Sequence, residues 1–196
     1  MSNTASISLS SLADIKAGYP FREAIESSDN GVPVLRIKDL RPDGPINWSK
    51  VIRSELTGRR ADWLEDGDIL FVARGAHSHA YCLSGVPEQA VCSPHFFQIH
   101  LKSNSGLLPE FLAWQINQKP AQDYFDSSAE GSTIIRNIRR QVLGDLQVVV
   151  PTIEKQQQVL RFHEAMLKEK YILQSMITNT DRIMNAVAND LLRKQK

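Results

Sequence analysis

Between Glu154 and Arg193 the chain contains neither proline nor glycine, and apolar residues return at Val159/Leu160, Met166/Leu167, Ile172/Leu173, Met176/Ile177, Ile183/Met184, Val187 and Leu191/Leu192. This spacing is close to a heptad and predicts one long helix with an apolar seam. At 1.5 Å rise per residue such a helix runs about 60 Å, more than a compact body of about 150 residues requires, so it is expected to be a spacer or an assembly device. A lone helix would expose Val159, Met166, Leu173, Ile177, Met184, Val187 and Leu191 to water; antiparallel pairing with a second copy is the simplest way to cover them. The helix is entered abruptly. Gly144-Asp-Leu-Gln-Val-Val-Val150 reads as a short buried strand, Pro151 stops it, and Thr-Ile-Glu-Lys-Gln-Gln-Gln comes next.

The 196 residues suffice for one globular domain, residues 1–150, and an appended helix, residues 151–196, and an apolar fraction of 42% suits a folded body. The first ten residues lack a basic n-region and a continuous apolar run, and no stretch reaches transmembrane length, so the expected location is the cytoplasm, away from a membrane. Cys82 and Cys92 lie in a strand-turn-strand segment and read as reduced core residues. The formal net charge is only +1, but the charges are unevenly placed. Arg136, Arg139 and Arg140 lie between Ile134 and Leu143 without an acid, and Arg74, His77 and His79 lie between Ile69 and Pro87 without one. Lys50, Arg53, Arg59 and Arg60 face only Glu55, while acids collect at Glu65/Asp66/Asp68 and Asp123/Asp126/Glu130. Such polarity is compatible with one DNA-facing side and equally with solvated surface charge.

Along the chain, Ile7 to Ala17 suits either a short helix or a strand, ending at Gly18. Val32 to Leu40 reads as a strand with Leu35 and Ile37 on one face and Arg36 and Lys38 on the other, closed by a turn at Pro42, Asp43, Gly44 and Pro45. Ile69 to Ala73 is nearly all apolar, hence a buried strand that delivers Arg74 and Gly75 to an edge. Ala80–Leu83 and Val91–Leu101 read as strands around a Gly85-Val-Pro turn, with Phe97, Ile99 and Leu101 alternating against Gln98 and His100. Pro109 opens a helix packed through Phe111, Leu112, Trp114 and Ile116, and a second helical piece begins after Pro120. Asn137 is placed to cap a helix ending at Gly144, with Arg139 and Arg140 in its first turn and Ile138, Val142 and Leu143 facing the core. The expected class is α+β: a mostly β body with short helices, then a long helix forming an antiparallel coiled coil.

His77, His79, Cys82, Cys92, His95 and His100 invite a zinc site, but no Cys-x2-Cys pair is present and the spacing is poor for a structural metal. Cys92 with His95 lacks an orienting acid for nucleophilic catalysis. There is no Gly-rich phosphate loop and no methyltransferase-type cofactor motif. The sequence therefore predicts no catalytic residue, no metal and no cofactor.

The order of elements resembles the specificity subunit of Type I restriction-modification systems. The resemblance is carried by Leu12-Ala-Asp-Ile-Lys-Ala-Gly18, Val34-Leu-Arg-Ile-Lys-Asp-Leu40, Gly67-Asp-Ile-Leu-Phe-Val-Ala-Arg-Gly75, Gly131-Ser-Thr133, and Val150-Pro-Thr-Ile-Glu-Lys-Gln156 with Val159 beyond it. Each motif is weak alone; their order and spacing span nearly the whole chain, and the Pro-x-x-Glu-x-Gln helix entry is the most specific. Thr152 and Lys155 stand where a second Pro and a second Glu are common in the family. The resemblance implies a family subunit with two target recognition domains and two long helices that pair antiparallel; this chain carries one of each, a half-subunit or a fragment of a longer one. It further implies double-stranded DNA as a partner, a modification subunit that methylates adenine with S-adenosylmethionine, and a restriction subunit that cleaves DNA.

On that view the DNA-contacting candidates are Arg36 and Lys38 on the exposed strand face, Arg74, His77, Ser78 and His79 in the loop leaving the buried strand, and Ser132, Thr133, Arg136, Arg139 and Arg140 in the second loop. Arginine can bind guanine bidentately, whereas Ser, Thr and backbone N–H groups more often fix phosphates. Two copies paired through the helix would read inverted half-sites across an unread spacer. The competing expectation from another class is a coiled-coil assembly protein whose body binds a protein partner without DNA specificity.

Overall fold

The computed structural model describes residues 6–41, 44, 46–57, 61–128 and 136–193. The expected turn residues Pro42, Asp43 and Pro45 and the expected contact residues Ser132 and Thr133 lie outside these. The chain divides into two compact units, residues 1–157 and 158–196.

The first unit opens with β1 (Ser6–Ser8), a single turn α1 (Leu9–Leu12) and β2 (Ala13–Ala17), so the Ile7–Ala17 segment is strand, helix and strand in succession. The chain continues through β3 (Val32–Leu35), 3-10 turns at Ile37–Asp39 and Trp48–Lys50, and β4 (Arg53–Ser54). Next come β5 (Ile69–Val72), β6 (Arg74–Gly75), β7 (Ala80–Cys82), β8 (Val91–Cys92) and β9 (Phe96–Leu101). The helices α2 (Pro109–Ile116) and α3 (Lys119–Ser128), β10 (Arg136–Asn137), α4 (Arg140–Asp145) and β11 (Gln147–Val149) lead to α5 (Ile153–Arg193). The α+β class is as the sequence predicts.

The central sheet has the order β2-β9-β5-β7, and a second sheet, β4-β3-β8, contains the parallel pair β3–β8. Gly18 joins the two sheets: its N–H donates to Phe96 O of the first and the next N–H, from Tyr19, to Cys92 O of the second. A Cβ at Gly18 would lie 2.0 Å from Ser93 O, so no larger residue fits where the backbones cross. Strand β5 is buried on both faces, which is why its sequence is a continuous apolar run. Leu70 and Val72 join Leu35, Leu64, Leu83 and Phe96 in one cluster, while Phe71, of opposite parity, meets Phe125 of α3 with ring centroids 4.9 Å apart. Phe111, Leu112 and Ile116 of α2 are buried as predicted; Trp114 is half-buried, stacked on Phe111 at 5.3 Å.

Two alternations and one helix cap differ from the sequence pattern. The strand at Val32 stops at Leu35, because the Asp39 carboxylate accepts the Arg36 backbone N–H (3.0 Å) and its Nε–H (3.2 Å) and winds residues 37–39 into a turn. Ile37 therefore does not share the buried face of Leu35. In β9, Gln98 is buried and not on a solvent face: its Nε2 donates to Asp68 Oδ2 at 2.7 Å and Trp63 O at 2.9 Å. Helix α4 starts after Arg139 without a side-chain cap, because Asn137 is consumed in β10.

The edge strand β7 is closed by a side chain. Asn117 donates to Ala80 O and accepts from Ala80 N, both at 2.8 Å, as a neighbouring strand would. At the other end of the unit, β1 pairs antiparallel with β11, Ser6 opposite Val149. Gln156, fully buried, explains the helix-entry motif: its Oε1 accepts the Leu108 N–H at 2.8 Å, and its Nε2 donates to Gly106 O at 2.7 Å and Pro151 O at 2.8 Å. One amide thus satisfies three backbone groups where α2 begins and where α5 begins.

The second unit is helical from residue 158 to Arg193 and buries no residue. Met166, Leu173, Ile177, Met184, Val187 and Leu191 are all exposed, at 48–64% of their full surface, and Val159 is half-buried. At alternate steps of four and three residues, Val159, Met166, Leu173, Ile177, Met184, Val187 and Leu191 fall on one stripe, shared with His163, Lys170 and Thr180. No helix among the described residues is long and apolar enough to cross a membrane.

Candidate nucleic-acid interface

Strand β6 continues the buried strand β5, and β10 precedes α4; they are 60 residues apart in sequence and pair antiparallel, Gly75 opposite Arg136 and Arg74 opposite Asn137. The bridge is extended by Ile138 N–H donating to Ala73 O at 2.9 Å, and the other side of the chain is held by His95 O, which accepts from Ala73 N (2.9 Å) and Arg74 N (3.2 Å). Ile138 is buried beneath. A Cβ at Gly75 would stand 3.0 Å from Val72 Cγ1 and 3.6 Å from Ile37 Cδ1, so the Ile37–Asp39 turn closes on the same bridge. The three segments chosen from sequence, around residues 36–38, 74–79 and 136–140, thus meet.

The electrostatics differ from the sequence expectation. Arg136 is not in an acid-free cluster, since α3 brings Asp126 Oδ1 to 2.8 Å from its Nη1. Arg74 is exposed, and its Nε donates to the uncharged Asn137 Oδ1 at 3.2 Å. His77 is exposed; its ring centroid is 6.2 Å from that of His79. Burial, with His77 and Arg136 adding to it, pushes the His79 pKa down, and its Nδ1 is buried with no hydrogen-bond partner among the described residues.

Ser78 is 1% exposed and presents nothing to solvent; its carbonyl accepts from Gln122 Nε2 at 2.9 Å, which ties the loop to α3. Arg36 is likewise not a freely exposed strand-face residue, being folded onto Asp39, whereas Lys38 is exposed. Arg139 occupies the position before α4 and Arg140 its first residue, both exposed; Arg140 borders a cleft with Asp14 and Asp145. What sequence reasoning missed is Asn137, whose role depends on a strand too short to carry a periodicity.

The other reactive side chains are engaged in structure. Asp68, 1% exposed, accepts the Glu65 N–H at 2.8 Å and the Gln98 amide, and its Oδ1 shares a 2.8 Å hydrogen bond with His100 Nδ1. This closes the tight turn in which Gly67 has φ +86°. Cys82 and Cys92 are free thiols, both pushed up to about 12, mainly by burial. No group of His, Cys, Asp or Glu among the described residues is arranged to hold a metal.

No family model and no curated protein sequence matches the chain. Solved structures do. A Type I restriction-modification S subunit from M. genitalium aligns at TM-score 0.54 and 14% identity over 83% of this chain, and the HsdS subunit from Thermoanaerobacter tengcongensis at 0.57 and 13% over 87%. A chain from a structure on complex assembly and conformational transition of the type I R-M system aligns at 0.62 and 14% over 92%. The alignments cover 39%, 39% and 42% of those chains, so this chain spans about two-fifths of the proteins it matches. The fold is thus that of part of a Type I S subunit, as the sequence motifs led us to expect.

Proposed function

We propose that this chain is a non-catalytic DNA-recognition subunit of a Type I restriction-modification system, acting in the cytoplasm on double-stranded DNA. The observation that carries the reading is the β6–β10 pairing. It joins Arg74 and Arg136 through one main-chain bridge at the end of the buried strand, with His77 in the loop that leaves it, which is how a groove-reading constellation has to be held. Lys38, Arg139 and Arg140 extend the positive surface toward phosphates, and Arg74 is the side chain suited to a guanine edge. Chemistry comes from partners: a modification subunit that receives a flipped adenine, and a restriction subunit that cleaves.

The apolar stripe of α5 is read as the seam of an antiparallel homodimer. Two bodies related by that two-fold would read inverted half-sites, with helix length setting the unread spacer, and joint binding would gain from effective concentration. The test is binding to a duplex pool at several salt concentrations, then selection of the bound sequences. The expected result is enrichment of a bipartite inverted site and a log K against log salt slope of about −0.9 per phosphate contacted. Salt-insensitive or absent DNA binding would move the protein to the adaptor class.

A further inference from the structure

On the premise that this surface reads DNA, we propose that Asn137 is a positioning residue that aims Arg74 at a base and so determines specificity at that base pair without touching it. Two guanidinium groups flank the bridge, and they are held in opposite ways. Arg136 meets the Asp126 carboxylate, which cancels its charge, whereas Arg74 meets an amide oxygen, which directs it and leaves its charge intact.

The geometry rests on the donor inventory of arginine. Of its five N–H groups, Asn137 Oδ1 takes the one on Nε at 3.2 Å, leaving the two terminal nitrogens, the edge that makes paired bonds to guanine O6 and N7. A long side chain held at Nε loses less freedom when it binds than one that is loose in solvent. The backbone beneath is fixed independently. Arg74 N bonds His95 O, Ile138 N bonds Ala73 O, and β6 pairs with β10 through main-chain groups, so none of these depends on the side chain at 137. Asn137 can therefore be changed with the bridge intact.

The experiment measures affinity of the full chain for its selected site, for single-base variants of that site and for random duplex, with thermal melting alongside. Arg74→Ala is expected to lose about 10- to 100-fold of discrimination at one base pair. Asn137→Ala should lose about 3- to 10-fold at the same base pair, with random-duplex affinity within about twofold of the parent, and nothing further when combined with Arg74→Ala. Asn137→Asp keeps the acceptor and should retain the discrimination while weakening binding to every duplex. If Asn137→Ala melts below the parent, Asn137→Ser, which is polar but too short to reach Nε, takes its place. Should Asn137→Ala and Asn137→Ser discriminate as the parent does while Arg74→Ala does not, the positioning role is overturned and the DNA reading stands. Unchanged discrimination in Arg74→Ala overturns it as well. A parent that selects no sequence at all removes the premise.

Discussion

Phe71, Leu70 and Ile69, in a strand of four residues, have no exposed surface; Leu173 and Ile177, in a helix of 41, leave more than half of theirs in water. The body buries its apolar strand residues and spends the amides of Gln156 and Asn117 on its own backbone groups. The second unit satisfies its backbone through helical hydrogen bonds, adds the hydroxyls of Ser175, Thr178 and Thr180 to carbonyls one turn back, and leaves its apolar seam in water. A buried run is explained by the contacts of this molecule, whereas the exposed heptad is explained only under the proposed pairing of two helices.

The sharpest way to break the comparison is to charge the seam. Leu173→Asp with Ile177→Asp should turn a dimer into a monomer by light scattering, leave the melting of the body unchanged, and cut affinity for a bipartite site by about 100-fold or more, the range that effective concentration supplies. A parent that is monomeric at about ten micromolar, well above the range of firm protein pairs, would place the seam's partner elsewhere. Next in size is Gln156→Leu, which strands the Leu108 N–H and two carbonyls and should cost the body about 1–3 kcal/mol in denaturant titration while leaving oligomeric state alone. If the melt is unmoved, the helix entry does not belong to the body.

Asp126→Ala should release the Arg136 charge. We expect a few-fold tighter binding to random duplex and a salt slope steeper by about one. The smallest effect concerns His79, whose folded pKa lies below its unfolded value. Its folded form binds fewer protons, so its contribution to stability is present above the unfolded pKa and is lost as pH falls below about 6.5 toward the folded value. His79→Gln should flatten that acid-side decline in urea titrations at pH 7 and pH 5.5.

The long helix, the buried strand at Ile69 and the Pro109 helix were legible because each repeats one signal over many residues: absence of breakers, an unbroken apolar run, an initiating proline. The errors fall where one polar contact outweighs a pattern. Asp39 curls the chain after Leu35 and removes Ile37 from the core face, and Asp68 with Trp63 O draws Gln98 inside against its alternation. Residues 74–79 and 136–140 stood out in the sequence as two separate basic segments but not as a pair, because β6 and β10 are two residues each. Without the pair, Asp126 could not be matched to Arg136, nor Asn137 to Arg74.

The pairing of Ser6 with Val149 brings the chain into and out of the body at neighbouring points of one ladder. A module whose two ends are clasped in one ladder can vary between them without altering where those ends stand. Under the proposed function, the surface around β6 and β10 is free to diversify as a cassette against an unchanged helix, so that selection on DNA reading is uncoupled from selection on assembly.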